Sequence, residues 1–146
     1  MMLFELFSTI VPFRWVEKSE ESYQAAFKIK NRQYDVYFAK DSSNGDEWWY
    51  VEFGIDSEAA GERPRYGITE TGDAFVVFST VATIIEDFIG KVFPKMIVFT
   101  AKESSRVKLY DALVVRIQKT GRIPFTVKTT GYPAGGKKYI LTFDFK

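Results

Sequence analysis

A chain of 146 residues that is 46% apolar, with 14 Phe, 8 Tyr and 3 Trp, fits one folded domain and argues against disorder over most of its length. It contains no cysteine and no histidine, which excludes disulfides, thiolate chemistry, Cys-bound zinc, most transition-metal sites and the Ser-His-Asp and Cys-His mechanisms. The net charge is only +1, yet residues 1–90 carry 8 Lys/Arg against 16 Asp/Glu, whereas residues 91–146 carry 12 against 3. An acidic part of −8 thus precedes a basic part of +9. Such asymmetry marks a surface for a polyanion, or it folds together into alternating surface charge.

The opening "MMLFELFSTIVPFRWVEK" is apolar but carries Glu5, has no basic leading region and no small-residue cleavage pattern, so a secretory signal peptide is not expected. Residues 1–20 are read as a segment, an amphipathic helix or a first strand, that docks on the domain. No window reaches 18 uninterrupted apolar residues, so no membrane span is expected. Strand alternation then begins. Tyr23, Ala25, Phe27 and Ile29 alternate with polar residues, Tyr34, Val36 and Phe38 follow a turn near Asn31, and Trp49, Val51, Phe53 and Ile55 follow the hairpin signal Asn44-Gly45. Residues 56–73 are rich in charge, Gly and Pro and read as a surface loop, with a short strand at Tyr66–Thr69.

The spacing of Ala74, Val77, Phe78, Val81, Ile84, Ile85 and Phe88 predicts a helix over 74–90, with Asp73 as its N-cap. The run "PKMIVFTA" predicts a buried strand. Thr100 and Glu103 fit a capping box for a second helix, whose core face is Leu109, Leu113 and Ile117 with Ala112 and Val114 beside them, closed by Thr120-Gly121. Two last strands, 123–128 and 139–145, form a hairpin around "TTGYPAGGKK". The order β-β-β-α-β-α-β-β implies a single α+β domain over 1–146, with two helices on one face of a mainly antiparallel sheet.

Four features bear on chemistry. Gly131, Gly136 and Lys137 match the letters of a phosphate-binding loop, but Lys138 stands where Ser or Thr is needed and a strand follows where a helix should start, so a flexible loop presenting Lys137 and Lys138 is the better reading. Glu103, Arg106 and Tyr110 fall at i, i+3 and i+7 on one helical stripe; they are either a helix edge stitched by ordinary pairs or an Arg and Tyr offered to a phosphate, carboxylate or partner. In Trp48-Trp49, alternation turns Trp49 inward and Trp48 outward, under the N-terminal segment or as an interface anchor. Outward Tyr37 and Tyr50 near Lys28, Lys30 and Arg32 suit single-stranded nucleic acid, whereas Asp35, Glu47 and Glu52 oppose it. Adjacent carboxylates such as Glu86-Asp87 do not converge on a point. No residue is assigned a catalytic or metal-binding role, and no cofactor is implied. Arg65, Ser79-Thr80 and Glu103 have the residue types of an Arg-Ser-Glu ADP-ribosyltransferase without its spacing or its Glu-x-Glu element.

Gly72, Asp73, Val77, Phe78, Thr80 and Val81, followed by Ala101, Glu103, Arg106, Leu109 and Tyr110, form a pattern that resembles small accessory proteins and modules of tailed bacteriophages. The resemblance covers about a third of the chain. It implies a virion-associated or host-directed binding protein without turnover, placed in the host cytoplasm or the virion, whose partner is a protein. Nucleic-acid binding by the basic C-terminal part is the alternative expectation, and a nucleotide-handling enzyme the third.

Overall fold

Period-two alternation of apolar and polar side chains builds the first four strands, β1 (Phe13–Lys18), β2 (Ser22–Ile29), β3 (Arg32–Ser43) and β4 (Asp46–Ile55). The computed structural model describes residues 10–55, 73–101, 104–120, 124–131 and 135–145. Each of these strands pairs antiparallel with the next, making a meander. β3 turns into β4 through Asn44 and Gly45, whose φ angles of 52° and 85° are both positive, as a tight hairpin that follows the strand twist requires. A register shift between Trp15 and Glu17 interrupts the edge strand β1.

The second half alternates helix and strand: α1 (Asp73–Val92), β5 (Met96–Ala101), α2 (Ser104–Thr120), β6 (Phe125–Gly131) and β7 (Lys137–Phe143). The seven strands form one sheet in the order β1-β2-β3-β4-β5-β7-β6. β4 and β5 run parallel, so α1 is a crossover between neighbours. The connection through α2 passes one position further, and β7 returns antiparallel into the gap between β5 and β6. This is the expected α+β arrangement with one more strand at its start. Of the two readings of the apolar N-terminal segment, residues 13–18 take the strand. Residues 1–9 and the strand expected at Tyr66–Thr69 lie outside the described residues.

One face of the sheet is buried under both helices. Phe88 of α1 stacks on Phe38 of β3 with ring centroids 4.0 Å apart and planes 11° off parallel, and it meets Trp49 and Tyr23 edge-on at 5.1 and 5.4 Å. α2 adds Tyr110, Leu113, Val114 and Ile117 to the same cluster. Here the structure corrects the expected core face, for Ala112 is exposed and Leu109 only half-buried, while Tyr110 is buried. The N-terminal segment is fastened to α1 by the Trp15 indole N–H, donated to Asp87 Oδ2 at 2.8 Å, and by the Val11 N–H, donated to Thr80 Oγ1 at 3.1 Å. An ion pair between Arg116 and Glu86 at 3.9 Å joins the two helices. Among the described residues no helix is long and apolar enough to cross a membrane.

Truncating Phe88 removes the ring that touches three strands, and the surrounding aromatics cannot collapse fully into the space. Phe88→Ala is expected to cost about 3–5 kcal/mol in urea unfolding; a loss under about 1 kcal/mol would show that α1 is held elsewhere.

Candidate functional site

Two groups of side chains, one on each face of the sheet, carry polar or exposed aromatic groups. The first sits between α2 and β7. Tyr139 of β7 is buried against Phe99 and Tyr110, so its hydroxyl must find a partner inside the protein. It donates to Asp111 Oδ1 at 2.6 Å, with the Val107 carbonyl 3.1 Å away as a second acceptor. Lys137 Nζ donates to the same Asp111 oxygen at 3.0 Å and lies 5.1 Å from the Tyr139 ring centroid. The Tyr139 hydroxyl above all, opposed by burial and helped by Lys137, holds the Asp111 carboxyl below the usual carboxylate range. Burial, with the Asp111 carboxylate behind it, pushes the Tyr139 phenol well above its ordinary value. The carboxylate stays ionised and the phenol neutral through neutral pH, which makes this cluster a structural fastening and a poor acid–base pair.

The second group lies on the face turned away from both helices. Strand register sets Ser22, Ala39, Tyr50, Val98, Ile140 and Lys128 side by side in one transverse row across six strands. Along one side of it runs a second row, Gln24, Tyr37, Glu52, Thr100, Lys138 and Thr130. Tyr37 is 40% exposed and Tyr50 36%, whereas Val98 between Tyr50 and Ile140 is only 3% exposed. Trp48, half-buried, meets Tyr50 edge-on at 6.3 Å. Asp35 and Glu52 bring negative charge to the β3 and β4 portion, while Lys128 and Lys138 bring positive charge to the β6 and β7 portion. Acidic side chains thus sit in the middle of this face, with Lys128 and Lys138 on one side of them and Arg14 and Lys28 of β1 and β2 on the other.

Residues 36–140, from within β3 to within β7, match the sequence profile of DUF6934, a family of unknown function. That span is well over half of the chain. The chain belongs to DUF6934. No curated protein and no solved structure matches it. The DUF6934 span contains the Asp111 cluster and the central aromatic row of the outer face, and it leaves β1 and β2 outside.

The residues singled out in the sequence separate in the structure. Tyr110 is 3% exposed and packs against Phe53, Phe99 and Tyr139, so it is a core side chain and not part of a wet stripe. The reason is periodic: the spacing that links Glu103, Arg106 and Tyr110 continues to Leu113 and Ile117, which face the sheet. Glu103 lies outside the described residues, and Arg106 falls in the first turn of α2. Lys137 and Lys138, expected on one loop, begin β7 and point to opposite faces, Lys137 to Asp111 and Lys138 to the outer face. Gly136-Lys137 thus leads into a strand, as the phosphate-loop mismatch predicted. Trp48 and Trp49 divide as alternation required, but residues 10–15 do not cover Trp48, because β1 pairs with β2 at the far edge of the sheet. Asp111, Tyr139 and the Tyr50–Val98–Ile140 row escaped sequence reading. Among the described residues no group of three or more acidic side chains is arranged to hold a metal ion.

Tyr139→Phe deletes the hydroxyl that Asp111 accepts. It is expected to cost about 1 kcal/mol at pH 7 by urea unfolding, with part of the value of a charged hydrogen bond lost to solvent screening. A lowered carboxyl stabilises the fold above its ordinary value of 3.8 and loses that effect as pH falls through the folded value, so the difference between wild type and variant should shrink in acid. The raised phenol acts in the opposite sense: its contribution is intact below its ordinary 10.0 and declines as pH climbs beyond it. A difference that is constant from pH 3 to 7 would contradict the assignment of Asp111 as the partner.

Proposed function

We propose that this chain acts by binding a protein partner on the outer face of its sheet, without turnover, in the manner of the bacteriophage accessory proteins that its helix-strand-helix pattern resembles. The observation that carries the reading is the transverse row itself. Tyr37 and Tyr50 stand exposed on adjacent strands, Tyr50 is followed in its row by the apolar Val98 and Ile140, and charges of both signs surround them. Protein interfaces have this composition, an aromatic and apolar centre inside a polar rim, with Tyr and Trp as the residues that anchor binding. A row of backbone-fixed side chains on a sheet is rigid before contact, which reduces the ordering entropy that binding must offset. The mixed sign also matters. A nucleic-acid surface gains by uniform positive charge, and here Asp35 and Glu52 stand on the same face as Tyr37 and Tyr50.

One observation favours nucleic acid as a second reading. On the three strands β5, β7 and β6 the outward charged side chains are Lys138 and Lys128, two and three strands from Tyr50. A single strand laid along that side would meet lysines and one aromatic ring.

The two readings divide on salt. Wild-type protein and a Tyr37→Ala/Tyr50→Ala variant are immobilised as baits for a bacterial lysate, and labelled single-stranded DNA and RNA are titrated against wild type and Lys128→Ala/Lys138→Ala. The expected result is a protein retained by wild type at about 150 mM salt and lost from the double-tyrosine variant. Equal retention on both baits would remove the outer face as the contact. Nucleic-acid binding that falls steeply with salt and is lost with the two lysines would replace the protein reading with the second.

A further inference from the structure

At the end of the sheet where β2 begins and β3 ends, a cleft of about 640 Å³ opens beside the last turn of α1. It is separate from the outer face and from the Asp111 cluster, and its size lies within the ~300–1,000 Å³ of small-molecule sites. Three neighbouring strands bring Tyr23, Lys40 and Trp49 to it, and the link from α1 to β5 brings Phe93 and Lys95. Tyr23 and Trp49 form an aromatic floor, edge to face at 5.8 Å. Lys40 Nζ stands 6.0 Å from the Trp49 ring centroid and 3.5 Å from Glu47, and Lys91 reaches Asp87 at 3.8 Å. Lys95, also on the lining, has no carboxylate within ion-pair distance among the described residues.

Phe93 is the unusual residue here. It closes α1 in the left-handed conformation, φ 52°, with its N–H donated to the Ile89 carbonyl at 3.0 Å, a position that glycine ordinarily fills. A bulky side chain in this region is strained, yet the ring is 59% exposed at the rim of the cleft, resting edge-on against Phe145 at 5.3 Å. Strain kept beside a cavity, with a ring left open to solvent, is the pattern of a side chain held for contact with a ligand.

We infer that this cleft binds a small organic anion bearing a planar ring, of the nucleotide class. The anionic group is held by Lys95, and it shares Lys40 and Lys91 with their carboxylates. The planar ring lies against Phe93. Charge-assisted contacts from flexible ammonium groups suit a phosphate, and an exposed phenyl face suits a flat heterocycle without selecting among bases. The carboxylates Glu20 and Glu47 on the same lining oppose a highly charged ligand and favour one with few phosphates.

The test uses the full chain and the fluorescent probe mant-ADP, with ADP, pyrophosphate and adenosine as competitors. Saturable binding below about 1 mM is expected, with ADP the strongest competitor and pyrophosphate and adenosine each competing more weakly. Lys95→Gln should weaken binding about tenfold, the loss of one charge-assisted contact. Phe93→Gly should weaken it about fivefold without lowering the urea midpoint, because glycine relieves the left-handed strain while removing the ring. No saturation up to about 1 mM, or equal affinity in wild type and both variants, would overturn the assignment. Competition by pyrophosphate with no effect of Phe93→Gly would overturn the role of the ring.

Discussion

The stack of Phe88 on Phe38 is the contact on which the rest of the molecule depends. A helix that crosses from β4 to a neighbouring parallel strand must lie over the sheet between them, and Phe88 brings α1 down onto β2, β3 and β4 together through Tyr23, Phe38 and Trp49. With α1 so placed, its flanks become attachment points. Trp15 and Val11 reach it from the N-terminal side, and Arg116 of α2 reaches it from the other. Away from the cleft at its Tyr23 and Trp49 end, the inner face of the sheet is then committed to packing.

Strand alternation makes the consequence for the outer face unavoidable. Every residue that points toward the helices has neighbours pointing away, and in the middle of the sheet these are Tyr37, Tyr50, Val98 and Ile140. On the inner side, polar groups answer a packing need: Tyr139 is buried, its hydroxyl requires an acceptor, and Asp111 supplies it with Lys137 balancing the charge. No such need accounts for large aromatic rings left partly open to solvent on the outer side. This contrast supports reading the inner cluster as architecture and the outer row as contact surface.

Much of the fold was legible because its signals are local. Alternation in β2, β3 and β4, the Asn44-Gly45 turn and the three-and-four spacing of α1 all depend on residues within one element. Residues 13–18 were ambiguous because "PFRWVEK" is a short run that serves a helix or a strand equally well, and pairing with β2 decided it. The stripe of Glu103, Arg106 and Tyr110 is too short to show its face; carried on to Leu113 and Ile117, the same periodicity places Tyr110 in the core. Lys137 and Lys138 share a loop only if β7 begins at Tyr139; the strand starts two residues earlier and sends them to opposite faces. The Asp111–Tyr139 bond and the row through Tyr50, Val98 and Ile140 join residues far apart in the chain, and only strand order and register bring them together.

The most direct measurement is carbene footprinting of the folded protein in buffer and again in a bacterial lysate at the same salt, read residue by residue by mass spectrometry. The account predicts that Tyr37 and Tyr50 are labelled in buffer and protected in the lysate, while exposed Val115, on the helical layer away from this face, is labelled equally in both. Equal labelling of Tyr37 and Tyr50 in the two conditions, or protection at Val115 alone, would contradict the claim that the outer face of the sheet is where this protein meets its partner.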